Sequence, residues 1–318
     1  MSVLEVRGLT KLFPGGGPLR RSKLHAVDDV SFALEPGRIT ALAGESGSGK
    51  STVARLLLRL YEPTAGAVLF EGHDVSADNR RRAVLRYRSQ VQMVFQDPFG
   101  SLNPAKTVRH HIERPLRIHR IVPSHAVEDR VLELLDKVGL VPARHIADKY
   151  PHELSGGQRQ RVGIARALAV EPRVLVADEP ISMLDVSIRV GILNLMRDLR
   201  DDLGIAFLYV THDLASARYV ADDILVMYAG QVVEHGPVDD VLARPLHPYT
   251  QLLIASVPDR ERGLERIEIR KGSASAAVDP PPGCRFAGRC PLEIGVCREV
   301  TPPLVEALPG QAARCHVT

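Results

Sequence analysis

Short apolar runs, separated by glycine and proline, recur along the chain and predict β-strands. Leu4–Leu9, Ala26–Leu34 and Ile39–Ala43 are rich in Val, Ile, Leu and Phe, as strands commonly are. The run Arg173–Ala177 is apolar without alternation after its first residue, which is typical of a strand buried on both faces of a sheet. Further strands are predicted at Val91–Phe95, Ile205–Val210, Ile224–Tyr228 and Gln231–Glu234.

Helical periodicity dominates between these strands. One helix is predicted to begin after Gly49, and the chain is mostly helical in pattern over residues 108–169, with an apolar stripe along Val127–Val138. Ile188–Leu203 predicts another helix, whereas Pro14 to Ser22 has the composition of a loop. Because strands and helices alternate around a helical insertion, we predict an α/β fold that carries a helical subdomain.

Composition changes near residue 258. The chain has 318 residues, of which 45% are hydrophobic and 25% charged, as in ordinary globular proteins. Beyond Pro258, the highly charged stretch Asp259–Lys271 is followed by the small, polar residues Gly272–Ala277, a composition typical of linkers. We therefore predict one domain over residues 1–258, with its helical subdomain at about 97–170, and an extension over 259–318.

The charge balance argues against a protein that mainly binds nucleic acid. There are 41 basic and 38 acidic side chains, for a net charge of +3, which offers no strongly basic surface to phosphates. No apolar run approaches the roughly 18–20 residues that span a bilayer. The first eight residues include the charged Glu5 and Arg7, where a signal peptide needs an apolar stretch. We expect a cytoplasmic chain, unless a partner holds it at a membrane.

A glycine-rich run after the third predicted strand has the pattern of a phosphate-binding loop. A strand precedes it and a helix follows it, which is the context that this motif requires. Glycines allow backbone N–H groups to turn toward a phosphate, and a helix N-terminus adds positive potential. Lys50 is expected to reach the β- and γ-phosphates, and the Ser51 hydroxyl to bind Mg²⁺. The predicted ATP-binding residues here are Gly44, Glu45, Ser46, Gly47, Ser48, Gly49, Lys50, Ser51 and Thr52.

An acidic pair ends the apolar run at Arg173–Ala177. Asp178 and Glu179 follow it directly, so both carboxylates are expected at the C-terminal edge of the sheet, where ligands bind in open α/β folds. We predict that Asp178 holds Mg²⁺ and that Glu179 is the general base for the attacking water. By itself this pattern also fits an ordinary turn after a strand.

The pentapeptide Leu154–Gln158 lies between these two motifs. Its sequence is Leu-Ser-Gly-Gly-Gln, which suits anion binding at the start of a helix and equally suits an N-cap at Ser155. The sequence resembles the ABC ATPase family, whose signature has this form, over about residues 2–257. The resemblance implies an ABC-type P-loop ATPase domain with a RecA-like core sheet, an antiparallel β subdomain and an inserted helical subdomain. It also implies ATP contacts by Ser155, Gly156, Gly157 and Gln158.

Four further positions match the family pattern residue by residue. Gln96 corresponds to the glutamine that senses Mg²⁺ and the lytic water. Asp185 ends a loop that crosses the dimer interface, although Met183 stands where Ala is more usual. His212 corresponds to the histidine that contacts the γ-phosphate. Phe13 is the candidate for stacking on adenine, with a position in the core as its alternative.

The resemblance implies that the chain works as half of a dimer. In ABC ATPases the phosphate loop of one subunit faces the signature of the other, with ATP between them. The chain contains one set of both motifs. ATP is then expected to join two subunits and its hydrolysis to release them, which is the differential affinity that can drive a transporter between two conformations.

Three segments are similar to the ATPases of oligopeptide and dipeptide importers. They are Phe95–Pro104, the run from His247 to Thr250, and the cysteine-containing residues near Cys284 and Cys290. The similarity implies a peripheral subunit at the cytoplasmic face of the cell membrane. Its expected partners are two membrane permeases, a second ABC ATPase (a heterodimer rather than a homodimer) and, through the complex, an extracytoplasmic substrate-binding protein. Nickel and some sugar importers share this type of ATPase, so the transported solute stays open.

The cysteines are confined to the extension and suggest a local site. Their spacing lacks the Cys-x-x-Cys pair of zinc ribbons, whereas a [4Fe–4S] cluster accepts four thiolates at wider spacing. A cluster, zinc, free thiols and disulfides all stay open, and members of the similar subfamily can carry a cluster. His316 is a spare candidate ligand. The predicted cluster ligands are Cys284, Cys290, Cys297 and Cys315.

Two functions of other classes compete with transport. A soluble ABC ATPase that acts on DNA or ribosomes usually has two cassettes or long coiled coils, and neither is visible in the sequence. A metal-cluster regulator that only binds ATP would not need the complete hydrolytic set. We therefore expect an ATPase coupled to transport, with no nucleic-acid partner.

Overall fold

The computed structural model describes residues 2–15, 22–77, 80–256 and 278–318. These residues form two compact units. The helical unit comprises the described parts of residues 35–38 and 78–208, and the sheet unit comprises the described parts of residues 2–34, 39–77 and 209–318.

The helical unit packs helices around a short parallel strand pair. Strand β6 pairs with β7 from Val91 opposite Val174 to Val94 opposite Ala177. Buried residues along the helices, such as Ile112 and Val131, form the apolar core. The elements of this unit are α2 (Arg81–Gln90), β6 (Val91–Val94), α3 (Val108–His119), α4 (Val127–Lys137), α5 (Ala143–Ala147), α6 (Gly156–Leu168), β7 (Val174–Asp178) and α7 (Val186–Leu203).

The sheet unit contains two groups of paired strands. An antiparallel group runs in the order β2-β1-β4-β5, and a second group runs β11-β12-β10-β9-β3, in which only β3 and β9 are parallel to each other. The elements are β1 (Leu4–Gly15), β2 (Ser22–Leu34), β3 (Ile39–Ala43), α1 (Lys50–Leu57), β4 (Ala65–Phe70), β5 (His73–Asp74), α8 (Leu214–Val220), β9 (Asp223–Tyr228), β10 (Gln231–Pro237), α9 (Val238–Ala243), α10 (Pro248–Ala255), β11 (Val305–Leu308) and β12 (Gln311–Ala313). Strand β8 (Ala206–Thr211) begins in the helical unit and ends in this one.

A buried glutamate attaches the extension to the sheet. The Glu234 carboxylate accepts hydrogen bonds from the backbone N–H groups of Leu246 and His247 at 2.8 and 2.9 Å, and from the Gln311 side chain at 2.8 Å. Glu234 lies in β10 and is fully buried, so these donors replace the water that a carboxylate otherwise needs. Strand β12 therefore continues the sheet next to β10.

The predicted α/β fold with a helical insertion is confirmed, and several boundaries differ. Strands β1 and β2 are longer than predicted, because Pro14 pairs with Lys23 and Gly15 with Ser22; these residues were predicted as loop, and residues 16–21 between them lie outside the described residues. Strand β6 ends at Val94 rather than Phe95. The sequence analysis missed β4, β5 and α2, and helix α7 begins two residues earlier than predicted.

Two other expectations concern the ends of the domains. The division at residue 258 stays a prediction, and its linker, Asp259–Ala277, lies outside the described residues. Within the described ranges, no helix is both long enough and apolar enough to cross a bilayer.

Candidate nucleotide-binding site

Three glycines with positive φ shape the phosphate loop between β3 and α1. Gly44, Gly47 and Gly49 have φ of 150°, 80° and 107°, which L side chains rarely adopt. A Cβ atom at Gly44 would lie 2.3 Å from the Met227 carbonyl oxygen, and one at Gly49 would lie 2.2 Å from that of Ala26. Glycine is therefore required at these two positions by contact as well as by dihedral angle.

Lys50 lies inside the loop that it follows. Its side chain is buried, and its Nζ donates to the carbonyl oxygens of Gly44 at 2.7 Å and Glu45 at 2.8 Å. A third contact joins Nζ to Ser48 Oγ at 3.5 Å. The loop thus concentrates positive charge at the N-terminus of α1, where backbone N–H groups have no partner within the helix.

Two side chains from distant parts of the chain bind Glu45. Tyr249 accepts a hydrogen bond from the Glu45 backbone N–H at 2.9 Å. Arg289 Nη1 and Nη2 each donate to a carboxylate oxygen of Glu45 at 3.1 Å. No local pattern connects either residue to the loop, so Tyr249 was expected only as part of a segment similar to the family, and the role of Arg289 was not predicted.

The acidic strand end and the predicted water sensor meet in the helical unit. Gln96 Nε2 donates to Glu179 Oε2 at 3.1 Å. Asp178 is the last residue of the fully buried β7, and Glu179 follows it with a left-handed φ of 43°. That turn brings the Glu179 side chain out of the buried strand to a partly exposed position. The pair fits a base and a group that orients a water molecule.

The signature pentapeptide begins helix α6, and its Ser155 is the N-cap residue. Ser155 Oγ accepts from the Gln158 N–H at 3.3 Å, and Gln158 Oε1 accepts from the Ser155 N–H at 3.0 Å, which together form a capping box at the start of α6. A Cβ atom on Gly157 would lie 2.5 Å from Ile188 Cγ2 in α7, and one on Gly156 would lie 3.4 Å from Leu184. Gly157 therefore allows α6 to pack closely on α7, while Ser155 stays exposed.

Asp185 and His212 are both exposed residues that flank helices. Asp185 is the residue before α7, and its side chain forms no capping hydrogen bond there. His212 follows β8, and the next residue, Asp213, caps α8 by accepting from the Ala215 N–H at 3.0 Å. Their predicted contacts with ATP require a nucleotide and a second subunit, so these contacts stay predictions.

Phe13 lies in an aromatic and cationic cluster that the sequence analysis did not foresee. Its ring meets the Tyr61 ring edge-on at 5.4 Å between centroids, and Lys11 Nζ lies 5.2 Å from the Phe13 centroid. Arg55 lies over the other aromatic ring. Phe13 is only partly buried, so the ring is not simply a core residue. Its stacking on adenine stays a prediction.

The four cysteines are free thiols that affect one another. Burial, with smaller contributions from the other three cysteines, raises the pKa of Cys284 to about 11. Burial also raises the pKa of Cys290. Within the described part of the chain, no three His, Cys, Asp or Glu side chains are arranged to hold a single metal ion. His316 Nε2 lies 2.8 Å from the Val300 carbonyl oxygen.

A basic groove of about 420 Å³ opens in the helical unit beside the segment that follows Gln96. Helix α6 binds that segment with two arginines: Arg159 lies over the Phe99 ring at 4.2 Å, and Arg166 donates to the Ser101 carbonyl at 2.6 Å. Burial lowers the pKa of Arg166 and of His111. The residues that line the groove include Asn103, Lys106, His110, His111, Arg114, Ile118, His119 and Arg166.

Known proteins share both the loop and the extension. A profile described as "ABC transporter" matches residues 27–182, and one described as "Oligopeptide/dipeptide transporter, C-terminal region" matches residues 233–297. The oligopeptide transport ATP-binding protein AppF of Bacillus subtilis strain 168 is 44% identical over 322 residues, covering 99% of this chain and 97% of the relative. The chain belongs to the ABC transporter family. The ABC ATPase expected from Gly44–Ser51 and Leu154–Gln158 is confirmed.

Two solved structures of ABC proteins are similar to this ABC ATPase. CbiO1 of Clostridium perfringens, part of the ABC transporter complex CbiONQ, has a TM-score of 0.66 and 30% identity, covering 76% of this chain and 91% of that one. The ATP-binding cassette MJ0796, in a dimeric post-hydrolysis state bound to ADP and Pi, has a TM-score of 0.65 and 29% identity, covering 74% and 98%. The similarity confirms the ABC-type fold.

The two glycines Gly49 and Gly47 give a matched test of the loop. Both have positive φ, but an added Cβ has no heavy atom within 4 Å at Gly47 and lies 2.2 Å from a carbonyl oxygen at Gly49. We expect Gly47→Ala to lower the free energy of unfolding by about 1 kcal/mol, from backbone strain alone. Gly49→Ala should lower it by about 2–4 kcal/mol, because an overpacked contact adds to the strain. Urea unfolding followed by circular dichroism measures both, and equal losses would contradict the contact.

Proposed function

We propose that this chain is the ATP-hydrolysing subunit that energises an ABC importer of dipeptides and oligopeptides. One observation carries the proposal: a complete phosphate loop lies in the same chain as a C-terminal region typical of oligopeptide and dipeptide transporters. The name of the relative AppF, an oligopeptide transport ATP-binding protein, supports the same cargo class.

ATP binding begins at the phosphate loop. Lys50, which is already inside the loop and bound to two carbonyl oxygens, would exchange these partners for the β- and γ-phosphate oxygens. The backbone N–H groups of Gly47–Thr52 supply the rest of the cradle. Ser51 and Asp178 are the proposed Mg²⁺ ligands, since a hydroxyl and a carboxylate are the oxygen donors that Mg²⁺ prefers. The ion would neutralise charge on the phosphates.

Hydrolysis is assigned to the pair in the helical unit. Glu179 would accept a proton from the attacking water, and Gln96, at 3.1 Å from its carboxylate, would orient that water and also contact Mg²⁺. His212, which directly follows β8, would contact the γ-phosphate.

A second ATPase subunit would complete each site. Ser155 is exposed at the first turn of α6, where N–H groups have no partner within the helix, so this end of the helix can meet a phosphate of the partner subunit. Asp185 would contact the partner across the same interface. The dimeric state of the similar cassette MJ0796 supports a dimer. We favour a heterodimer with a second ATPase of the same family.

The basic groove is the proposed docking site for a permease. It lies beside Phe95–Pro104, and α6, the helix that carries the signature, holds that segment through Arg159 and Arg166. Movement of a bound permease segment would thus reach the ATP signature through packed side chains. The groove's Lys106, Arg114 and histidines suit a partner helix with acidic residues. Docked to two such permeases, and through them to an external substrate-binding protein, the chain would lie peripherally at the cytoplasmic face of the membrane.

Substitution of Glu179 by Gln tests the catalytic assignment. The amide cannot accept the water's proton, so we expect ATP hydrolysis to fall by about 10²–10⁴-fold while ATP binding persists and the dimer becomes trapped. Phosphate release, equilibrium ATP binding and size-exclusion chromatography measure the three effects. A variant that hydrolyses ATP at the wild-type rate would remove Glu179 from the mechanism.

Transport by the assembled complex tests the cargo. The chain, its second ATPase, two permeases and a binding protein would be reconstituted in proteoliposomes and supplied with labelled dipeptides, oligopeptides or Ni²⁺. We expect ATP-dependent uptake of the peptides that is abolished by Lys50→Ala, because the loop lysine is needed for nucleotide binding. Uptake of Ni²⁺ alone would assign the same ATPase to another solute. Co-purification with ribosomes or DNA instead of permeases would replace transport altogether.

We further propose that the four cysteines hold a [4Fe–4S] cluster with a structural role. The four cysteines are free thiols, and the other three lie close enough to Cys284 to raise its pKa, which supports a cage wider than a single-ion site. A bound cationic cluster would favour the thiolate form of its ligands. Protein purified without oxygen should contain about four iron atoms per chain, acid-labile sulfide and broad visible absorption. Zinc content at one atom per chain, without iron, would assign the site to the alternative metal.

A further inference from the structure

The C-terminal extension reaches the phosphate loop through one arginine. Arg289 lies in a short helical turn, Ala287–Arg289, and its side chain is 14% exposed. Both terminal nitrogens bind the Glu45 carboxylate. This is the bidentate geometry that arginine, and not lysine, can form with a carboxylate.

The guanidinium is held in place by aromatic rings. Its central carbon lies 5.6 Å from the Tyr228 centroid and 5.7 Å from the Phe286 centroid, and Nη1 lies 3.5 Å from the Tyr228 hydroxyl. Tyr249 packs on both rings, at 4.6 and 5.6 Å between centroids, and also binds the Glu45 N–H. The same cluster therefore fixes both the backbone and the side chain of Glu45.

The location of Glu45 gives this contact a consequence for nucleotide binding. Glu45 directly follows Gly44, and its carbonyl oxygen is one of the two that bind Lys50. An unpaired carboxylate at this point would repel a triphosphate, and a loose Glu45 would change the position of the Lys50 acceptor. Arg289 prevents both effects, since it neutralises the carboxylate and restrains it.

We propose that Arg289 is a positioning residue for ATP, which acts through Glu45 to hold the first turn of the phosphate loop. The extension is then part of the nucleotide site rather than an appendage to it. This inference concerns nucleotide binding only and does not depend on the transported solute.

Binding of MgADP to the full-length chain tests the proposal, because ADP fills the loop without needing the partner's signature. We expect Arg289→Gln to weaken binding about 10-fold, equivalent to about 1.4 kcal/mol, and Arg289→Lys to weaken it about 3-fold, since one hydrogen bond is lost and the charge is kept. Calorimetry measures both constants. In the assembled transporter, Arg289→Gln should raise KM for ATP while kcat is retained, as expected for a loss of uniform binding.

The double variant tests whether Arg289 acts by neutralising the Glu45 carboxylate or through the general structure of the extension. If the unpaired carboxylate causes the defect, adding Glu45→Gln to Arg289→Gln should return MgADP binding to within about 2-fold of the wild type, because the repulsion is removed. The matched control is Arg298→Ala, which removes a second arginine–glutamate pair of the same extension, with Glu293, that does not touch the loop. It should leave binding unchanged.

Three results would overturn the proposal. They are unchanged binding in Arg289→Gln, a double variant as weak as Arg289→Gln alone, or an equal loss in Arg298→Ala. Should Arg289→Gln fail to fold, the lysine variant decides, since wild-type affinity in that variant would exclude a bidentate requirement. If the Arg289→Gln variant binds MgADP as tightly as the wild type does, only this inference fails and the proposed transport function stands.

Discussion

A buried ammonium group, bound by the carbonyl oxygens of its own loop, organises the nucleotide site of this ABC ATPase. Lys50 Nζ lies 2.7 and 2.8 Å from two of these oxygens, and the glycines around it hold the backbone in conformations that other residues resist. The loop therefore has its shape without a ligand. A bound phosphate would replace the carbonyl oxygens as the partner of Lys50 Nζ. Preorganisation of this kind reduces the ordering that binding otherwise requires.

In the helical unit, helix α6 connects the signature pentapeptide with the segment that follows Gln96. Helix α6 begins at the exposed Ser155 and, along the same helix, Arg159 and Arg166 bind the segment after Gln96. Gly157 allows this helix to pack directly on α7. A close-packed helix transmits displacement with little loss, because interiors of proteins are nearly incompressible. The signature segment is thus connected to the groove through one closely packed helix.

Local sequence patterns were sufficient to predict those strands and helices whose formation depends on neighbouring residues. The strand before Gly44 and the helix after Gly49 were predicted, because an apolar run and a glycine loop each have their own signal. Strand β4 was missed because its identity depends on pairing with β1: Gly66 lies so close to Gly8 that a Cβ atom would fall 2.3 Å from its carbonyl oxygen. The site followed the same rule. Glu179 was predicted from the acidic pair that ends an apolar strand, and Gln96 from a family position. Arg289 was not predicted, because its contact with Glu45 spans 244 residues of sequence.

That long separation has a consequence for biosynthesis. Glu45 and the rest of the phosphate loop leave the ribosome well before Arg289, by roughly 10–50 s at ordinary elongation rates. During this interval the carboxylate of Glu45 has no arginine partner, because Arg289 has not yet been synthesised. Under the role proposed for Arg289, the phosphate loop therefore gains its full affinity for nucleotide only after the extension has been translated and has folded.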